Sequence, residues 1–158
     1  MTVALGIVAK DGVVMLSDSQ GTYMKDTTRT EERSSKIYSE KIVPVHSDER
    51  IRAAVTYSGN TYTANQTIPR LRDLYNEQLS AADLVERTAQ TIRQENIKAA
   101  ASSSGFIEPD YQASFLLGIY HDRPELYTIY PLGEKYSVQT TAIGSGSDLI
   151  LRELKENF

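Results

Sequence analysis

The sequence predicts an α+β fold in which helices are layered on a mostly antiparallel sheet. Two observations carry this: short strand patterns occupy both ends of the chain with two consecutive helical patterns between them, and a last helix follows Gly144-Ser145-Gly146-Ser147. Neither an internal repeat nor a low-complexity linker interrupts that order.

The first element is a β-hairpin. Residues Thr2 to Ala9 are small and apolar, Lys10-Asp11-Gly12 is a turn signal, and Val13 to Leu16 is apolar again before Ser17-Asp18. The segment Met24 to Ser35 is polar and has no apolar period, so it is expected as a loop. Short strands are expected at Lys36 to Tyr38, Ile42 to Val45 and Ile51 to Tyr57. The break at Ser58-Gly59-Asn60 opens a helix running to about Leu79. The second helix is the best marked. Ser80 with Asp83 is a capping-box variant, and Ala81, Val85, Ala89, Ile92 and Asn96 share one face that should lie on a sheet. The small, polar tract Ala99 to Gly105 ends it. Strands return at Phe115 to Tyr120, Leu126 to Tyr130 and Tyr136 to Ile143, and the last helix spans Asp148 to Asn157.

Composition narrows the function. At 158 residues the chain is expected to form one domain spanning 1–158, with 40% hydrophobic and 24% charged residues as in a soluble globular protein. No segment approaches the roughly 18 consecutive apolar residues that span a membrane. Zero Cys excludes disulfides, thiolate catalysis and Cys-based zinc sites. A net charge of -4 with no clustered Lys/Arg argues against nucleic acid or anionic lipid as partner. The start, Met1 to Gly6, has no basic flank or cleavage-site pattern, so the expected setting is the cytoplasm. His46 and His121 have no metal-ligand spacing and read as solvated loop residues. No metal and no cofactor is expected.

The stretch Thr2 to Met15, then Ser17-Asp18, Lys36-Ile37-Tyr38 and Ala142 to Ser147, resembles the β-type subunits of proteasomes, which are N-terminal nucleophile hydrolases. The resemblance implies a four-layer αββα sandwich and a threonine-type peptidase. Elementary chemistry agrees. A Thr hydroxyl is a weak nucleophile, and a chain-terminal Thr can use its own α-amine as base. That amine has an ordinary pKa of about 7.7–8.0, and a neighbouring ammonium lowers it and keeps the amine neutral.

By resemblance, Thr2 exposed by removal of Met1 is the nucleophile, Lys36 held by Asp18 tunes the amine, Gly59 supplies the oxyanion N–H, and Ser145 bonds near the amine. Gly21 and Thr22 match backbone positions that pair with an extended peptide, while Ser34 and Tyr57, with Thr61, would shape specificity. The implied substrate is a peptide or unfolded protein. The implied assembly is a homo-oligomeric ring, with α-type subunits or an ATP-dependent unfoldase as companions.

Hairpin register offers an independent test. A three-residue loop Lys10-Asp11-Gly12, with Gly12 left-handed, pairs Ala9 with Val13 and puts Asp18 on the face of Thr2, about 7–8 Å away on the diagonal. A two-residue turn on Asp11-Gly12 would put them on opposite faces.

The sequence also departs from the family. Family members continue beyond the position of Phe158, through a helix and strands carrying an Asp and a Ser that complete the network. This chain is therefore expected to be a fragment or a pared-down relative. Two alternatives stand beside the peptidase: a catalytically silent structural subunit, and a transpeptidase or amide ligase in which an amine resolves the acyl-enzyme.

Overall fold

A computed structural model describes residues 3–18, 20–23, 35–38, 41–47, 50–75, 79–102 and 112–157, with the backbone alone for 20–23, 35–38 and 102. In chain order the strands of the first half are β1 (Val3–Ala9), β2 (Gly12–Ser17), β3 (Gln20–Tyr23), β4 (Ser35–Tyr38), β5 (Ile42–Ser47) and β6 (Arg52–Gly59). The helices α1 (Thr61–Tyr75) and α2 (Ala81–Ser102) follow, then β7 (Ala113–Tyr120), β8 (Pro124–Ile129), β9 (Lys135–Val138), β10 (Thr140–Gly144) and α3 (Ser147–Asn157).

Every described strand pairing is antiparallel. The strands form a five-stranded sheet of order β5-β6-β7-β8-β9, a three-stranded sheet of order β10-β1-β2, and a separate β3-β4 pair. Alternation along the central strands builds two cores. Val55, Tyr57, Phe115, Leu117 and Ile119 point one way and pack with Leu71 of α1 and Leu84 and Ile92 of α2. Leu116 and Leu126 point the other way and meet Ala4 and Ile143 of the smaller sheet. With α3 against β10 and β1, the layers run helix, sheet, sheet, helix. This is the expected αββα sandwich.

The sheets approach closely where side chains are small. A Cβ on Gly6 would lie 2.8 Å from Leu126 Cδ2. Burial of the large apolar side chains in these two layers is the main stabilising term, worth about 1.5–3 kcal/mol for each fully buried Leu, Ile or Phe.

Several element boundaries differ from the sequence expectation. The stretch Tyr136 to Ile143 is two strands: β9 stays in the larger sheet, the chain breaks at Gln139, and β10 joins β1. Gln139 O at the break accepts a hydrogen bond from Val8 N at 2.8 Å, so the crossing between sheets leaves no lost ladder there. Leu79 is not helical, and β3 is a strand that the sequence did not announce. Most of the expected loop Met24 to Ser35 lies outside the described residues, and Ser35 itself begins β4. His46 belongs to β5 and stacks on Tyr75 with ring centroids 6.1 Å apart, rather than standing in a solvated loop.

Candidate active site

The hairpin takes neither register considered from sequence: its loop has two residues, as in the second, but lies one residue earlier. Ala9 pairs with Gly12, so the loop is the two residues Lys10-Asp11. Gly12 starts β2 and is absent from the described glycines with positive φ, which are Gly59, Gly133 and Gly144. The left-handed residue that the three-residue loop needed is therefore not there. In this register the ladder, continued by one step, brings Asp18 opposite Val3: Asp18 N–H donates to Val3 O at 3.1 Å, and Val3 N–H donates to the Asp18 carboxylate at 3.3 Å. Strict alternation in this register puts positions 2 and 18 on opposite faces, as the two-residue turn considered from sequence also would. The Asp18 carboxylate is bonded to the amide of Val3, the residue that follows Thr2 in sequence. Thr2 lies outside the described residues.

The lysine that meets Asp18 is Lys41. Its Nζ donates to Asp18 Oδ1 at 3.0 Å, and its side chain is 1% exposed against 30% for Asp18. Lys41 stands at the head of β5 in the larger sheet and Asp18 at the tail of β2 in the smaller, so the ion pair crosses the sandwich at one end. Lys36, the lysine expected from resemblance, lies in β4 opposite Thr22, in the two-stranded β3-β4 pair. Its side chain is outside the described residues. The sequence carried a usable signal for Lys41. It immediately precedes the strand that pairs with the one ending at Gly59, which puts it at the same end of the sheet as that glycine.

The remaining expected residues divide. Val3 pairs with Gly144, which puts Ser145 one residue beyond the pair, beside the N-terminal end of β1. Gly59 ends β6 at φ +104°, and a Cβ there would clash with Gln112 O; only glycine fits. Gly21 and Thr22 fall within β3, an extended segment of the kind that pairs with a peptide. Ser34 is outside the described residues. Tyr57 is not brought to the site. It is 1% exposed, with its ring 6.1 Å from that of Phe115 in the helix-facing core. The pleat explains this, because Thr56 and Ser58 take the opposite face of β6.

Asp18 with Lys41, and Ser145 next to Gly144, thus lie at the Val3 end of β1, while Gly59 ends β6 in the other sheet, at the end where Lys41 precedes β5. Such a pair can tune a terminal amine, and such a glycine N–H can receive a developing oxyanion. Among the described residues, no group of three or more His, Asp or Glu could hold a metal ion, and no helix is long and apolar enough to cross a membrane.

An αββα sandwich of this kind is the architecture of the proteasome-type fold. The chain belongs to the Proteasome subunit family, which it matches over residues 2–158. It is 28% identical over 166 residues to proteasome subunit beta 1 of Thermococcus kodakarensis, covering 99% of this chain and 70% of that protein. It is 29% identical over 160 residues to a proteasome subunit alpha of Methanocaldococcus jannaschii, covering 99% of this chain and 56% of the relative. The Anbu complex of Pseudomonas aeruginosa, solved as a helical assembly, superposes with a TM-score of 0.75 at 19% identity, over 99% of this chain and 66% of that one. Anbu of Yersinia bercovieri, described as an ancestral β-subunit, gives 0.65 at 18% identity over 91% and 59%. The chain thus spans between about half and 70% of the length of these relatives.

Proposed function

We propose that this chain is a threonine-type peptidase of the proteasome family, with Thr2 as nucleophile once Met1 has been removed. The observation that carries the reading is the ion pair of the buried Lys41 with the half-buried Asp18, whose carboxylate bonds the amide of Val3, next to Thr2 in sequence. In the first step the Thr2 hydroxyl oxygen attacks a peptide carbonyl while the Thr2 α-amine takes the hydroxyl proton. The C–N bond then breaks, the proton passes to the leaving amine, and an ester to Thr2 remains. Water, deprotonated by the same amine, hydrolyses the ester and restores the hydroxyl. The Lys41 ammonium keeps the terminal amine neutral, Asp18 holds Lys41, and the Gly59 N–H stabilises the oxyanion, a contribution of about 2.7–4 kcal/mol for one such donor. The substrate is a peptide or unfolded protein, aligned as an added strand along Gly21 and Thr22. The subunit works in the cytoplasm within a homo-oligomeric ring or helical assembly, with α-type subunits or an unfoldase as companions.

The match to α-type relatives at 29% identity favours one second reading, a structural subunit without activity. Incubation with a threonine-directed epoxyketone followed by peptide mapping separates the two. One adduct at Thr2, lost in Thr2→Ala, is expected. A Met1-free chain, verified by intact mass, that takes no adduct would leave the structural role.

A further inference from the structure

The α2 face that lies on the larger sheet carries one amide among its apolar residues. Asn96 is 3% exposed, and each polar atom of its side chain is used. Nδ2 donates to Ile92 O at 2.9 Å and to Ala113 O at 3.2 Å, while Oδ1 accepts from Ala113 N at 2.8 Å. The amide therefore grips the backbone of Ala113 from both sides, as a neighbouring strand would.

Register explains why that grip is needed and what it holds. Ala113 stands opposite Gly59, and the next pair along is closed by a hydrogen bond from Asn60 N–H to Gln112 O at 2.8 Å. In an antiparallel ladder bonded and non-bonded pairs alternate. The Ala113 N–H and C=O consequently point away from β6, to the side on which β8 has already ended at Ile129. Asn96 takes the place of the missing strand. The same alternation turns the Gly59 N–H away from β7, to the side where β5 begins at Ile42, next to Lys41. The turn at Gly59 packs directly on the backbone of Gln112 and Ala113.

We propose that Asn96 is a positioning residue: acting through Ala113, it aims the Gly59 N–H at the oxyanion. The catalytic consequence rests on the peptidase reading above, whereas the mechanical coupling does not. The test uses Asn96→Ala and the isosteric Asn96→Asp, which keeps the acceptor for Ala113 N–H and loses the donor to Ala113 O. The backbone amide resonances of Gly59 and Asn60 report the coupling without any need for activity. With a fluorogenic peptide, Asn96→Ala is expected to lower kcat by about 10–100-fold with KM within about twofold, and Asn96→Asp to recover part of the loss. Affinity for a peptide aldehyde, which forms a tetrahedral oxyanion adduct, should fall in parallel with kcat. A folded Asn96→Ala with unmoved Gly59 and Asn60 amides, or with full kcat, overturns the proposal. If Asn96→Ala does not fold, Asn96→Asp decides by the same readouts. If the wild-type chain neither cleaves the peptide nor binds the aldehyde, the peptidase reading fails. The amide resonances then decide the positioning alone, movement supporting it and no movement refuting it.

Discussion

Lys41 Nζ lies 3.0 Å from Asp18 Oδ1, joining the head of β5 to the tail of β2 across the end of the two-sheet sandwich. The pair does two things at once: it closes that end of the inter-sheet layer and leaves a buried cation beside the N-terminal strand. Lys41→Met is expected to abolish epoxyketone labelling, whereas Lys36→Met should retain most of it. Labelling rates of the two purified variants make the comparison, and the reverse result would return the role to Lys36.

Asp18→Asn leaves the Lys41 ammonium without its carboxylate. The expected loss is about 2 kcal/mol, below the range for a wholly buried pair because Asp18 is partly exposed. For a domain of this size that corresponds to a Tm lower by about 4–8 °C, measurable by calorimetry.

Gly59 and Gly12 should respond oppositely to alanine. At Gly59 the positive φ and the contact with Gln112 O predict a loss of about 3 kcal/mol together with loss of activity. At Gly12 an added Cβ meets nothing within 4 Å, so Gly12→Ala should stay within about 0.5 kcal/mol of wild type. Urea unfolding of both variants tests the contrast.

Two phenols set a high-pH limit on stability. Burial pushes Tyr75 up to about 12 against the relief of a Thr88 hydrogen bond, and burial with the bond to Glu125 pushes Tyr127 up to about 12. The folded state holds these protons more tightly than the unfolded chain, whose phenols titrate near about 10. Their contribution is therefore complete below about pH 10 and lost between about pH 10 and 12. Denaturant midpoints at about pH 9 and about pH 11.5 should fall less steeply in Tyr75→Phe/Tyr127→Phe than in wild type.

The start of α2 is a local device and should behave as one. Ser80 Oγ accepts from Asp83 N at 3.1 Å and donates to Asp83 Oδ2 at 2.6 Å, closing the first turn. Ser80→Ala should cost about 1 kcal/mol without touching activity, since the cap lies at the other end of α2 from Asn96. Thermal denaturation beside a peptidase assay checks both halves.

What could be read in advance follows the range of the interactions involved. The helix starts at Asn60 and Ser80, the N-terminal hairpin, and the apolar stripe of α2 depend on residues within a few positions of one another, and all of these stand. The break at Gln139 could not be read, because Tyr136 to Ile143 alternates as one strand and only the presence of two sheets divides it. Asn96 was visible as a polar residue on an apolar face, a position that demands a partner when buried. Its partner, Ala113, was not visible.

The sequence by itself determined helices layered on a mostly antiparallel sheet, since this rests on local pattern, and its resemblance to proteasome β-type subunits implied the αββα class and the family. Which lysine reaches Asp18, and that Tyr57 faces the helices and not the cleft, only the tertiary structure decided. Lys36-Ile37 and Lys41-Ile42 are alike as dipeptides, and the signal that favours Lys41, its place just ahead of the strand paired with β6, becomes usable only once that pairing is known. The difference arises when β5 docks in the larger sheet with its head over the tail of β2: burying one ammonium there requires the carboxylate that only that docking supplies.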